Sequence, residues 1–120
     1  MPRVIVALGS NTGGEEVMRL CQQHLEALLT DTRHTAIIRT KAIGTNGYFL
    51  NSLTSGETTL DTPALIAALK RLERRCGDRR SLRAQGQVVM DIDLLLYGDK
   101  RHHSADWKRD YIQQLLNDFS

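Results

Sequence analysis

The sequence predicts an α+β fold of the ferredoxin-like kind, an antiparallel sheet with helices packed on it. Two observations carry this. Strand-like and helix-like segments follow one another in the order βαββαβα. The strand segments are β-branched or alternate, whereas the helical ones repeat their apolar residues every three to four positions. The 120 residues suffice for one core, and no repeat or change of composition marks a boundary, so residues 1–120 read as a single domain.

Each element has a local reason. Val4-Ile5-Val6-Ala7-Leu8 is a buried first strand, and Gly9-Ser10-Asn11-Thr12-Gly13-Gly14 is a turn-rich loop. The next helix carries Glu15 and Glu16 in its first turn, where acids favour the helix dipole. Val17, Leu20, Cys21, His24 and Leu28 follow at helical spacing. A second strand is expected from Thr35 to Thr40, a loop from Lys41 to Gly47, and a third strand from Tyr48 to Glu57. Thr62-Pro63 is a helix start, with Thr62 as cap. Leu65, Leu69, Leu72 and Cys76 form its stripe, and Gly77 ends it. Val88 to Tyr97 is the fourth strand. After a charged stretch from Gly98 to His103, Ser104 caps a last helix with Trp107, Tyr111 and Leu115 on one stripe.

The bulk numbers exclude some classes. A net charge of +2 does not mark the chain as a nucleic-acid binder. Cys21 and Cys76 are too few for a disulfide framework and read as buried thiols in a reducing compartment. The Val4–Leu8 run is too short for a signal peptide or a membrane span. A cytoplasmic protein without a membrane partner is expected, a monomer or a weak homo-oligomer.

Asp91 and Asp93 are the most informative residues. Side chains two apart on a strand share a face, so both carboxylates converge within a hydrophobic run. Burying two carboxylates side by side is unfavourable unless positive charge sits with them. One or two hard divalent cations would satisfy the pair, and so would a solvated strand face or arginine partners. Gly9-Ser10-Asn11 resembles a phosphate loop only loosely, since no Gly-Lys-Ser/Thr follows, and a plain turn explains it.

Basic residues crowd the chain from Lys70 to Arg83. Lys70, Arg71, Arg74 and Arg75 fit a solvated helix face. Arg79, Arg80 and Arg83 fall in a flexible segment before the acidic strand, where cations can offset charge in phosphoryl transfer. Glu73 borders the buried stripe and can form an ion pair or accept hydrogen bonds from a heterocycle. Asn51 in mid-strand, with Phe49 on its face, is a half-pocket for a flat ring or a structural amide at a bulge. His102 and His103 lack partners at metal-ligand spacing. His103, Arg109 and Tyr111 can line a nucleotide site, although Trp107 and Tyr111 also suit a core.

Ala7-Leu8-Gly9-Ser10-Asn11, Phe49-Leu50-Asn51, Leu72-Glu73 to Gly77 and Asp91-Ile92-Asp93-Leu94-Leu95-Leu96-Tyr97-Gly98, with their spacing, resemble the 6-hydroxymethyl-7,8-dihydropterin pyrophosphokinase family. The likeness spans residues 4 to about 111. It implies a ferredoxin-like fold and Mg2+-dependent transfer of pyrophosphate from ATP to a pterin alcohol in folate synthesis. By that resemblance Asp91 and Asp93 hold two Mg2+ ions, and Phe49, Asn51, Glu73 and Tyr111 form the pterin side. Leu94, His103 and Arg109 form the ATP side, and Arg79 and Arg80 are the nearest counterparts of mobile-loop arginines. The chain departs from the family pattern at Gln85-Gly86-Gln87-Val88-Val89, where Trp-Gly-Pro-Arg-Thr is usual and only the Gly is kept. Fewer electrostatic clamps on the moving group imply slower turnover. Two other readings remain: a non-catalytic relative that binds pterin, nucleotide or a protein, and a module that binds RNA through the Arg79–Arg83 segment.

Overall fold

The computed structural model describes residues 1–42 and 47–120. Part of the loop expected over Lys41 to Gly47 therefore lies outside the described residues. Among the described residues, six strands form one antiparallel sheet. β1 (Arg3–Ser10) lies between β4 (Tyr48–Glu57) and β5 (Asp91–Tyr97). β2 (Thr30–His34) and β3 (Ile38–Lys41) pair with successive halves of β4. At the other edge β6 (Lys100–Arg101) covers only Leu96 and Tyr97 of β5.

The first face of the sheet is built by alternation. Val4, Val6 and Leu8 of β1 are buried, joined by Ile92 and Leu94 of β5. Helix α1 (Gly14–Leu28) covers them with Met18, Cys21 and Leu25, and α2 (Thr62–Arg75) with Leu65, Leu69 and Leu72. Each such side chain contributes about 1.5–3 kcal/mol by leaving water. The β1–β5 register shifts between Ile5 and Val6, so Leu95 is the extra residue of a bulge. That bulge sends Leu94 to the helix side and Leu95 to the opposite face, where it meets Leu53, Trp107, Ile112 and Leu115.

Five local expectations are corrected. First, the buried face of α1 is Met18, Cys21, Gln22 and Leu25, and Leu20 is 44% exposed. Apolar residues flank both sides of that helix, so the stripe's phase was ambiguous. Second, the single strand expected over 35–40 is two. Thr35 turns inward between them, its hydroxyl accepting from Leu53 N at 2.9 Å and donating to the Ala36 carbonyl at 2.9 Å. Third, the cap of α2 is Asp61, whose carboxylate accepts from Ala64 N at 2.9 Å. Fourth, β5 begins at Asp91 rather than Val88. Fifth, Ser104 caps nothing: a 3-10 turn, Asp106–Lys108, precedes α4 (Asp110–Leu116), with Arg109 as N-cap. The stop at Gly77 is as expected. Its φ is +104°, and the N–H groups of Gly77 and Asp78 close back on the carbonyls of Arg74 and Glu73.

Helices pack on the sheet as expected, α1 and α2 on one face and α4 on the other. There Ile5, Ala7, Leu53 and Leu95 present a second apolar surface. Among the described residues, no helix is long and apolar enough to cross a membrane.

Candidate active site

The cleft forms where α4 leaves the second face uncovered. Gly9 of β1 is the register partner of Asn51 on β4 and of Asp91 on β5. Ala7, one pleat away, is likewise the partner of Asp93. Neighbours on one rung point to the same face. The amide, the gap left by Gly9 and the carboxylate therefore lie in a row, with Asp93 beside Asp91. A Cβ on Gly9 would lie 3.5 Å from Asn51 Oδ1, so the hydrogen there keeps the floor open.

A cavity of about 310 Å³ rises from this floor. Phe49, Asn51 and Thr40 make one wall, Asp91 and Asp93 the opposite one, and Tyr111, Arg109 and Asp106 close the side. Asn51 is buried, and its Nδ2 donates to Thr40 Oγ1 at 2.6 Å. That bond fixes the amide plane on the cleft wall. Burial raises the Tyr111 hydroxyl pKa above the usual phenol value. Arg109 Nε donates to Asp106 Oδ1 at 3.2 Å.

The electrostatics centre on the acid pair. The Asp93 carboxyl is pushed up to about 6, first by burial, then by the charge of Asp91 and a hydrogen bond with it. Lys70 and His103 work the other way. Lys70 Nζ lies 3.6 Å from Asp93 Oδ1, and His103 Nε2 lies 3.8 Å from the same oxygen. Asp91 has its own cation, Arg83 Nη2, at 3.3 Å. Both acids thus lie in the cleft with basic side chains beside them, and the donor set is oxygen only. Such a pair fits a hard divalent cation, which completes its shell with water and phosphate oxygens. Among the described residues, no group of three or more His, Cys, Asp or Glu gathers as a self-sufficient metal site.

The remaining sequence candidates divide. Leu94 and His103 line a smaller cavity beside the acid pair, with Lys70 and His102. Glu73 does not reach the main cleft. It is buried behind β5, accepting from Ile92 N at 2.7 Å and Lys70 Nζ at 3.0 Å. Burial raises its carboxyl pKa, although the Ile92 amide and Lys70 oppose the rise. Within the segment expected to be flexible, a short helix forms, α3 (Arg80–Ala84). Arg79 turns away, its Nη1 donating to the carbonyls of Arg74 and Asp78, each at 2.7 Å. Arg79 and Arg80 border a separate basic cavity behind the acid strand.

Two neighbours of the site, Lys70 and Asp106, had no role in the sequence reading, and Arg83 was there only one cation of the Arg79–Arg83 segment. Arg83 is held by Asp78, Nε to Oδ2 at 2.6 Å, and so delivered to Asp91. Lys70 was assigned to a solvated face, yet it reaches Asp93; its position three before Glu73 was the available signal. Glu73, Asp93 and Asp91 outweigh the burial that disfavours the Lys70 charge and keep its pKa above the ordinary value. Asp106 gave no signal, because a polar residue in a short turn has no periodicity to read.

Gly9-Ser10-Asn11 proves to be a clamp. The Asn11 side chain donates to the Gly86 carbonyl at 2.8 Å and accepts from Val88 N at 2.7 Å. It anchors the segment that leads into Asp91.

Fold and cleft together define an α+β domain with a carboxylate pair facing an aromatic–amide wall across one sheet. The chain belongs to the 7,8-dihydro-6-hydroxymethylpterin-pyrophosphokinase family, whose model matches residues 5–120. It is 35% identical over 114 residues to a folate synthesis bifunctional protein of Chlamydia caviae, covering 88% of this chain and 26% of that one. It is 30% identical over 130 residues to a mitochondrial folate synthesis bifunctional protein of Pisum sativum, covering 96% and 24%. It is also 30% identical over 103 residues to a 2-amino-4-hydroxy-6-hydroxymethyldihydropteridine pyrophosphokinase of Aquifex aeolicus, covering 83% and 64%. The chain thus spans about a quarter of the length of the bifunctional relatives it matches.

Proposed function

We propose that this chain transfers a pyrophosphoryl group from ATP to the hydroxymethyl group of a 6-hydroxymethyl-7,8-dihydropterin. The observation that carries the reading is the single rung Asn51–Gly9–Asp91, which sets a ring-binding wall opposite an acid pair in a chain of this family. Phe49 and Tyr111 hold the flat ring, and Asn51 offers its amide to the ring's edge. Asp91 and Asp93 would hold Mg2+, two ions by the family resemblance. Bound there, Mg2+ neutralises charge on the triphosphate and orients it.

The chain's own side chains do the rest. Arg109, at the cleft's side, and His103, beside Asp93, receive phosphate oxygens; Leu94 lies under the nucleotide. Lys70 and Arg83 keep the acid pair compensated until the nucleotide arrives. The pterin hydroxyl attacks the β-phosphorus in line, and AMP leaves. Positioning and charge neutralisation supply the rate. Arg79 and Arg80 face the basic cavity behind β5 and steer the polyanion rather than touch the reacting atoms. Glu73 acts on the site through Lys70 and Ile92, and through Arg83, whose Nη2 lies 3.7 Å from Glu73 Oε1. The protein works as a monomer or a weak homo-oligomer in a reducing compartment, the cytoplasm by the sequence reading.

The test is AMP release with ATP, Mg2+ and the pterin alcohol, compared with Asp91→Ala. Turnover in the native chain and none in the variant is expected. AMP release equal in both would reject the reading. Calorimetric binding of pterin and nucleotide without AMP release would instead assign a binding role.

A further inference from the structure

His103 is one of two non-glycine residues with positive φ among the described residues, at 54°. The other, Asp31, is on the outer strand β2, away from the cleft. Left-handed backbone is disfavoured for any residue with a Cβ. Here the ring faces Asp93, Nε2 to Oδ1 at 3.8 Å, and a strained backbone beside a cleft points to a side chain held for use there. Glycine would be relaxed there, as Gly98 is at +62° a few residues earlier.

The hydrogen bonds show what enforces this conformation. His102 N donates to the Leu95 carbonyl at 2.9 Å. Trp107 Nε1 lies 3.2 Å from that same carbonyl and 3.0 Å from the His102 carbonyl, so one indole N–H bridges both. Asp106 N donates to the His103 carbonyl at 2.9 Å. The peptide on each side of His103 is therefore pinned. Trp107 is itself fixed: it is buried, Arg101 lies over its ring at 4.3 Å, and its carbonyl accepts from Gln113 Nε2 at 2.6 Å. Trp107 lines neither cavity of the site.

We propose that Trp107 is a positioning residue, which by tying the Leu95 and His102 carbonyls holds His103 in a strained turn with its ring toward Asp93. What the ring does there, contact with nucleotide phosphates, rests on the phosphoryl-transfer reading. The strain itself does not. Trp107 also packs in the second core with Leu53, Leu95 and Ile112, and phenylalanine would keep much of that packing while removing the N–H.

Two readouts test this. The first is thermal melting without ligand. His103→Gly and His103→Ala both lose the ring, but only glycine relaxes the backbone, so the glycine variant melts about 3 °C higher. In a Trp107→Phe background that gap closes to within about 1 °C, because the turn is free to relax. The second is calorimetric affinity for Mg2+ with α,β-methylene-ATP, an analogue whose scissile bond does not transfer. Trp107→Phe and His103→Ala each weaken it roughly tenfold, and the double variant weakens it no further. A glycine–alanine gap that survives Trp107→Phe, or two losses that multiply, would overturn the proposal. If the native chain binds no analogue, the phosphoryl-transfer reading fails and the melts alone decide the clamp. Should Trp107→Phe not fold, β-(3-benzothienyl)alanine at position 107 keeps the ring's shape, lacks the N–H and gives the same two readouts.

Discussion

Glu73 offers the most direct test of how the acid strand is held. β6 covers only Leu96 and Tyr97, so among the described residues no strand pairs with the outer edge of β5 at Ile92. Glu73 Oε2 accepts from Ile92 N at 2.7 Å, and Lys70 Nζ lies 3.3 Å from the Ile92 carbonyl. Two side chains of α2 thus stand in for a missing strand, directly between Asp91 and Asp93. Glu73→Ala leaves the buried Ile92 N–H bare, which together with the lost charge-assisted bond costs about 3 kcal/mol. The Lys70 side chain is 43% exposed, so its loosened pairing adds little. With 120 residues and roughly 2.1 cal/mol/K of unfolding entropy per residue, 3 kcal/mol lowers Tm by about 12 °C. Glu73→Gln keeps an acceptor for Ile92 and should lose only about 4 °C, corresponding to about 1 kcal/mol. Calorimetric melts of the two variants without ligand are the assay. Melting points within about 2 °C of each other would refute the surrogate-strand argument.

Two further outcomes follow from the same geometry. Asp61→Ala should destabilise the protein by about 1 kcal/mol and Thr62→Ala by under about 0.5, in urea unfolding, because only Asp61 caps α2. Arg83→Gln removes the cation that occupies Asp91 at 3.3 Å; Mn2+ titrated without nucleotide should then bind about fivefold tighter, on the order of 1 kcal/mol, and weaker binding would contradict competition at that carboxylate.

What the sequence made legible was local and periodic. β1 follows from its apolar, β-branched run, the leucine stripe of α2 and the shared face of Asp91 and Asp93 from spacings of three to four and of two residues, and the stop at Gly77 from glycine's tolerance of positive φ. What it hid were meetings between segments. Arg83 looked like part of a mobile run because nothing in its neighbours announces that Asp78 will turn it toward Asp91. Lys70 looked solvated because helix periodicity places a residue on a face without saying what strand lies under its edge. Glu73 was correctly placed at the border of the stripe, but a border acid can serve a ligand or a backbone, and its bond to the Ile92 amide becomes visible only at the unfinished sheet edge. The split at Thr35 was invisible for a similar reason: a threonine that bonds to a neighbouring strand reads the same as one within a strand.

The rung through Gly9 has one last consequence. Strand centres repeat every 4.7–4.9 Å, so Asn51 and Asp91, two strands apart, are separated by about 10 Å. That interval is set by the backbone lattice and not by any rotamer, which makes the sheet a rigid gauge for what can react. In the proposed reaction, an alcohol whose hydroxyl sits too close to its ring would stop short of the phosphorus however tightly it docked, and lengthening its tether by one carbon would be felt as a change in rate rather than in affinity.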